Sequence, residues 1–332
     1  MQRAAGLAGA PALLRELGGD PGAACAGLSF TPETLEPDSR IPFSEALQLL
    51  ANCARLSGHP HFGLLLGARY DHRSLGPVGA LMHASPTLGE AVRAYVPLQI
   101  GLSRGATVYA YPVGEAVTLG FGIYARHHPG ARHAYGLTMA VAVNLVRTLT
   151  GGRASVSEVL LCHRAPADPA AFEAILKAPV RFDQYQSCVV LPRSDLKLAN
   201  PHADAARHEA LSRQVAAMMR VDPADPVAVL MHRLKPLLMQ DAYSLAAVAQ
   251  RLEMHPRMLN RRLLEAGTSF VAIRDEVRAR AAQELLALTD LPVGEIAAAL
   301  SFSAHSNFVR AFRRWIGTTP SAWRVAAAGR PD

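Results

Sequence analysis

An α+β N-terminal domain followed by an all-α domain with two helix-turn-helix units joined by a long helix is the architecture this sequence predicts. Three observations predict it. First, Ser244-Leu-Ala-Ala-Val-Ala249-Gln-Arg-Leu-Glu-Met-His255 and Pro292-Val-Gly-Glu-Ile-Ala297-Ala-Ala-Leu-Ser-Phe-Ser303 repeat one pattern: a short apolar helix with a central alanine, a tight break, then a second helix rich in arginine. Helices that cross this closely need a small residue at the crossing, and the second helix is left free to enter a groove of DNA. Second, Ile273, Val277, Ala281, Leu285 and Leu288 recur at helical spacing between the two copies. Third, residues 1–200 mix helix-like runs with short β-rich runs, two of which read as a hairpin.

Length and composition leave room for this. A chain of 332 residues can hold two domains, each with its own core. Half of the residues are hydrophobic, yet no apolar run reaches the roughly 20 residues of a bilayer crossing. Arg15 and Glu16 interrupt the apolar patch near the N-terminus, so no secretory signal is read, and a cytoplasmic protein without a membrane partner is expected. Cys25, Cys53, Cys162 and Cys188 lie far apart without Cys-x-x-Cys spacing, which points to ordinary thiols and no metal. The net charge of +7 permits a polyanionic partner without identifying one. Residues 225–332 hold 14 Lys and Arg against 10 Asp and Glu, and the remainder 20 against 17, so placement decides more than total charge.

Along the first 200 residues, a helix is expected over Phe43-Ser-Glu-Ala-Leu-Gln-Leu-Leu-Ala-Asn-Cys-Ala-Arg-Leu56, and Ser85-Pro-Thr-Leu opens another that runs to about Gln99. Ala106–Pro112 and Ala116–Tyr124 read as paired strands. A helix from about Arg132 to Leu149, a strand Val159–His163, a helix Pro169–Leu176 and a short strand Val189–Leu191 complete the α+β domain. An amphipathic helix Ala203–Met219 leads to Arg220-Val-Asp-Pro-Ala-Asp-Pro226, whose two Asp-Pro steps disfavour helix and mark a linker. The expected division is 1–200 for the α+β domain, 201–226 for helix and linker, and 227–328 for the helical domain.

Seven helices are expected in that last part. Asp225 caps a first through Met239 and Ser244 a second to Leu252. Pro256 opens a third, ending near Gly267, where glycine suits the left-handed terminating residue. The fourth spans about Phe270 to Leu288, roughly 28 Å at the usual rise. Pro292 opens a fifth to Leu300, Ser303 or Ala304 a sixth to Trp315, and Pro320 a seventh. A stiff fourth helix would hold the two units about one DNA turn, ~34 Å, apart. Arg257, Asn260 and Arg261 on the third helix, with His305, Ser306, Asn307, Arg310 and Arg314 on the sixth, are the candidate DNA contacts, because Arg pairs bidentately with guanine, Asn with adenine, and other cations meet phosphates. Phe308, Phe312 and Trp315 recur on the opposite side of the sixth helix and are assigned to the core. The competing reading is a helical scaffold or protein-interaction module with solvated arginines that never touches nucleic acid.

The stretch from Ser244 to Arg324 resembles the DNA-binding domain of the AraC/XylS transcriptional regulators. The shared features are Gly267-Thr-Ser-Phe270, the spaced Arg278, Ala282 and Leu286, the Ile296-Ala297 pair, Asn307-Phe-Val-Arg-Ala-Phe-Arg-Arg314 and Gly317-Thr-Thr-Pro320 before Trp323-Arg324. Two departures stand out: Ser301 replaces a turn glycine, which would cost about 1 kcal/mol if φ is positive there, and His255 replaces a serine ahead of the first recognition helix. Leu75-Gly-Pro-Val-Gly79, Ser85-Pro-Thr-Leu88, Ala165-Pro-Ala-Asp-Pro169 and Pro179-Val-Arg-Phe182 resemble the arabinose-binding-type N-terminal domain of a subgroup that includes regulators of ornithine use. The resemblance implies a sequence-specific regulator, an activator in the usual case, with double-stranded promoter DNA and RNA polymerase as partners, a small-molecule effector in the N-terminal domain and possible homodimers.

Tyr109, Tyr111 and Tyr124 are candidate ligand-binding residues, as polar-tipped aromatics on the hairpin, with half-buried structural residues as the alternative reading. Arg126, His127, His128 and His133 lack an accompanying carboxylate and the spacing of a metal site. Cys162 and His163, adjacent on an expected strand, point to opposite faces and cannot act as thiol and base. No nucleophile elbow or phosphate-binding glycine loop is present, so neither an enzyme nor a cofactor is expected.

Overall fold

A computed structural model gives the fold of residues 1–123, 128–218, 244–251 and 254–328. Tyr124, Arg126, His127 and the helix expected from Asp225 to Met239 lie outside the described residues. The chain divides into two compact units, Met1–Arg220 and Val221–Asp332.

The first unit is built on a five-stranded mixed sheet. The expected hairpin forms from β3 (Ala106–Val113) and β4 (Ala116–Ile123), in register from Ala106 opposite Ile123 to Val113 opposite Ala116. Gly114 takes φ +57 at the first central position of its two-residue turn, where a side chain would be strained. The sheet order is β3-β4-β7-β5-β6, in which β7 (Ser187–Pro192) runs antiparallel to both β4 and β5 (Glu158–Leu160), and β6 (Val180–Arg181) pairs parallel with β5. A short pair, β1 (Gln2–Arg3) and β2 (Arg40–Ile41), ties down the N-terminus. The strand expected over Val159–His163 stops at Leu160; the amide of Cys162 instead donates to Ser187 Oγ at 3.1 Å.

Nine helices surround these strands: α1 (Ala10–Glu16), α2 (Pro21–Cys25), α3 (Phe43–Ser57), α4 (Phe62–Ala68), α5 (Pro77–Ala84), α6 (Leu88–Leu102), α7 (Ala131–Thr150), α8 (Ala170–Leu176) and α9 (Ala205–Met218) among the described residues. Helix α7 is almost wholly buried along its apolar side. It lies so close to α4 that a Cβ at Gly63 or Gly67 would sit 2.0 or 2.2 Å from a carbonyl oxygen of α7. Thr87 caps α6, accepting from the Glu90 amide at 3.2 Å, and the helix runs past its expected end near Gln99 despite Pro97 in its interior. Leu211 and Val215 of α9 pack against Val78, Leu81 and Leu102, so this helix spends its apolar stripe within its own unit.

The second unit, as described, comprises α10 (Leu245–Arg251), α11 (Pro256–Glu265), α12 (Phe270–Leu288), α13 (Val293–Ala299), α14 (His305–Ile316) and α15 (Pro320–Ala328). It has two cores on one helix. Phe270, Ile273 and Val277 of α12 join Val248, Ala249, Leu259 and Leu263, whereas Ala281, Ala282, Leu285 and Leu286 join Ile296, Ala297, Leu300, Phe308 and Phe312. At about 100° per residue, the buried side of α12 turns by roughly a right angle between these groups. One continuous helix therefore fixes the relation of the two helix-turn-helix units through side-chain packing at both of its ends.

Candidate nucleic-acid interface

The duplication is visible at the level of single hydrogen bonds. Ala249 and Ala297, at 0 % and 2 % exposure, occupy the helix crossings. Five residues beyond each, the chain closes the same bond: the Met254 amide donates to the Ala249 carbonyl at 2.9 Å and the Phe302 amide to the Ala297 carbonyl at 3.0 Å. Such a closure over a helix end satisfies carbonyls that have no intrahelical partner. In the second unit it is reached with Ser301 at φ +54, the left-handed conformation that a turn glycine would adopt freely.

The two units then differ by one residue. Six positions separate Ala249 from the cap His255, and seven separate Ala297 from the cap Ala304. In the shared helical frame, buried Leu259 and Leu263 correspond to buried Phe308 and Phe312, Arg261 corresponds to Arg310, and Asn260 falls opposite Val309 rather than Asn307.

On α11, His255 does the capping expected of the serine it replaces: its Nδ1 accepts from the Arg257 amide at 3.2 Å. Arg257, Asn260, Arg261 and Arg262 are exposed. Arg261 Nε lies 3.5 Å from Glu265 one turn on, while the side chains of Arg257, Asn260 and Arg262 make no hydrogen bond or ion pair with a described residue.

On α14 the polar side chains are interlinked. Asn307 Nδ2 donates to Ser303 Oγ at 3.3 Å, and Arg310 Nη2 donates to Asn307 Oδ1 at 2.6 Å. Arg314 Nη2 donates to Asp275 Oδ2 of α12 at 2.7 Å, and the same oxygen accepts from Trp315 Nε1 at 3.2 Å. With the Arg314 side chain 68 % exposed, that ion pair orients more than it stabilises. His305 and Ser306 are exposed at the start of the helix. Phe308, Phe312 and Trp315 pack inward with Trp323, as their spacing predicts.

Beside α14 lies a cleft of about 400 Å³ lined by Arg274, Arg278, Arg310 and Arg314, with Asp275 as the carboxylate in its wall. The Arg278 guanidinium stacks 4.8 Å over the Phe302 ring. Sequence reasoning overlooked Arg274 and Asp275, and took Arg278 only as part of the linking-helix pattern. Their signal was the charged run Arg274-Asp-Glu-Val-Arg278, whose ends stand one helical turn apart and share a face.

Two of the hairpin tyrosines, Tyr109 and Tyr111, are among the described residues. Tyr109 is buried over Gly120, where a Cβ would meet its ring at 2.0 Å, and its hydroxyl lies 3.1 Å from Gln186 Oε1. Tyr109 lines a small apolar cavity, whereas Tyr111 stacks on Tyr109 with ring centroids 4.9 Å apart and is absent from that lining. The four cysteines are buried, and burial pushes the Cys53 and Cys188 thiols up to about 12, which leaves those two unreactive. Among the described residues no His, Cys, Asp and Glu cluster could hold a metal, and no helix is long and apolar enough to cross a membrane.

A two-wedge helical unit with arginine-rich second helices is the architecture of a DNA-binding transcription regulator. Comparison with known proteins places it further. Residues 18–200 match the arabinose-binding domain of AraC transcription regulators, and residues 248–326 match a helix-turn-helix domain. An ornithine utilization regulator of Pseudomonas aeruginosa is 29 % identical over 313 residues, covering 89 % of this chain and 88 % of that one. The regulator VirS of Mycobacterium tuberculosis is 27 % identical over 330 residues, covering 97 % of this chain and 96 % of that one. A helix-turn-helix regulator of Mycobacterium bovis is 45 % identical over 76 residues, covering 23 % of this chain and 22 % of that one. The chain belongs to the AraC family of transcription regulators, which are DNA-binding proteins and not enzymes.

Proposed function

We propose that α11 and α14 read two successive major-groove segments of double-stranded promoter DNA. The supporting observation is that two wedges of the same construction share α12 and each expose an arginine- and amide-bearing helix. In this reading Arg310, splinted by Asn307, pairs with a guanine edge, and Asn260 meets an adenine. His305, Ser306, Arg257, Arg261 and Arg314 meet phosphates or neighbouring bases, and Arg314 is aimed by Asp275. We further assign the first unit, near residues 1–200, to effector sensing, with residues 201–226 as the connection and 227–328 as the DNA-binding domain. The protein then acts in the cytoplasm as an effector-modulated regulator, activating transcription by contacting RNA polymerase, with homodimers as one mode of binding.

Neutralising several phosphates releases counterions, so the logarithm of the association constant should fall linearly with the logarithm of salt concentration, at about −0.9 per contact. Fluorescence anisotropy on the protein's own promoter fragment at 50–200 mM salt measures this. A slope near zero would remove the proposed phosphate contacts.

A further inference from the structure

The first unit holds a cavity of about 130 Å³ between α3, α6, α7 and the N-terminal segment, and a neighbouring one of about 70 Å³ under the sheet. Tyr95, Phe121, Thr138 and Val141 wall both. Their linings contain no carboxylate, and the charged side chain present, Arg3, is already engaged: Nε and Nη2 donate to Asp38 Oδ1 at 3.1 and 2.7 Å, and Nη1 to the Ser74 carbonyl at 3.2 Å. A basic amino acid or diamine would meet no counter-charge here.

The polar groups in these walls stand out against their surroundings. Gln99 is 3 % exposed, and its Oε1 is buried without a hydrogen-bond partner among the described residues. Tyr95 stands one turn earlier on the same face of α6, and its hydroxyl makes no hydrogen bond to a described residue. Buried amides are almost always satisfied, and an unsatisfied one in an apolar chamber calls for a partner. A water needs two to four polar partners, whereas a cavity of about 150 Å³ lined by apolar side chains takes a benzene-sized molecule.

We propose that this chamber binds a small uncharged hydroxyl compound, in class a phenol or short-chain alcohol, whose apolar body fills the cavity and whose hydroxyl donates to Gln99 Oε1 and accepts from the Tyr95 hydroxyl. The proposal rests on the reading of the first unit as an effector sensor and supplies its site. It also supplies a route outward. Leu75, Tyr95 and Leu102 line the larger cavity and belong to the cluster that grips Leu211 and Val215 of α9. An occupant that resets these side chains favours one packing of α9 over another, as any effector must. Pro97 eases the movement, because it removes one backbone hydrogen bond from the helix that carries both Tyr95 and Gln99.

Isothermal titration of the full chain with phenol, 1-hexanol, benzene and L-ornithine tests this. Saturable binding of phenol and hexanol is expected, with benzene at least fivefold weaker and ornithine not bound. Tyr95→Phe and Gln99→Met should each erase most of the preference for phenol over benzene while benzene binding persists. Failure of phenol and hexanol to bind saturably overturns the site, as does an unchanged preference in both variants. Promoter affinity measured with and without saturating phenol separates the two readings. Binding without any change in promoter affinity keeps the site and defeats its role as the effector site; a promoter response to ornithine that survives in both variants keeps effector sensing and defeats this site.

Discussion

The two helix-turn-helix units share one plan and differ in how the exposed polar side chains of their second helices are held. In the first, His255 caps the recognition helix, the core is aliphatic apart from Phe270, and the side chains of Arg257, Asn260 and Arg262 make no hydrogen bond or ion pair with described residues. In the second, the recognition helix has no side-chain cap, the turn holds Ser301 at positive φ, and the core is aromatic. Its polar face is linked, from Ser303 through Asn307 to Arg310 and from Asp275 to Arg314 and Trp315. Ordering a long side chain at an interface costs about 0.5–1.5 kcal/mol, so a side chain held before binding loses less. On the proposed reading, the second wedge offers preformed readout and the first adaptable contact, although local backbone strain sits in the second.

The sharpest test of this division attacks a core. Phe308→Ala should destabilise the second unit by about 3–5 kcal/mol. Because the cores are separate clusters, hydrogen exchange should accelerate in α13 and α14 far more than in α10 and α11. Equal acceleration in both would show that α12 couples them into one cooperative unit. Next in size is recognition. Arg310→Ala should cost about 2–3 kcal/mol of promoter affinity and Asn260→Ala about 1–2 kcal/mol. A larger loss at Asn260 in gel shifts would reverse the assignment of the preformed wedge.

A change of about 2 kcal/mol should arise outside both wedges. In the first unit, burial, and then the neighbouring Arg132, push His133 down to about 3 from its ordinary 6.5. Above pH 6.5 this histidine is neutral folded or unfolded. As the pH falls from 6.5 toward 3, only the unfolded chain takes up the proton, so stability declines by about 2 kcal/mol at pH 5. Denaturant titrations at pH 7 and 5 should locate this loss in the first unit, and His133→Phe should reduce it. The smallest effects concern the wedge ends. Ser301→Gly should stabilise by about 0.5–1 kcal/mol by relieving the left-handed residue. His255→Ala should destabilise by about 1 kcal/mol through loss of the cap, and His255→Ser should not. Thermal melts distinguish all three.

The wedges were legible because their signals are local. The central alanines, Pro256, Gly267 and the period of Phe270–Leu288 each act within a few residues, and the helix limits followed to within a residue or two. The positive φ at Ser301 was also readable, since the rest of the pattern there demands a turn. In the first unit, α4 escaped notice: Phe62-Gly-Leu-Leu-Leu-Gly-Ala68 is too short and too evenly apolar to show a period, and only contact with α7 explains its glycines. The strand Val180–Arg181 is two residues long and exists only through pairing with β5.

By itself, then, the sequence determined the order of elements, the duplicated wedge, the exposed arginines and the aromatic stripe of α14, because each is written in spacing along one helix or turn. Tertiary structure decided the rest. It shifted the recognition frames by one residue, brought Asp275 to Arg314 across 39 positions, turned Tyr109 over Gly120 and left Gln99 facing an apolar chamber. Those outcomes depend on which distant side chains share a space, and no local period encodes that.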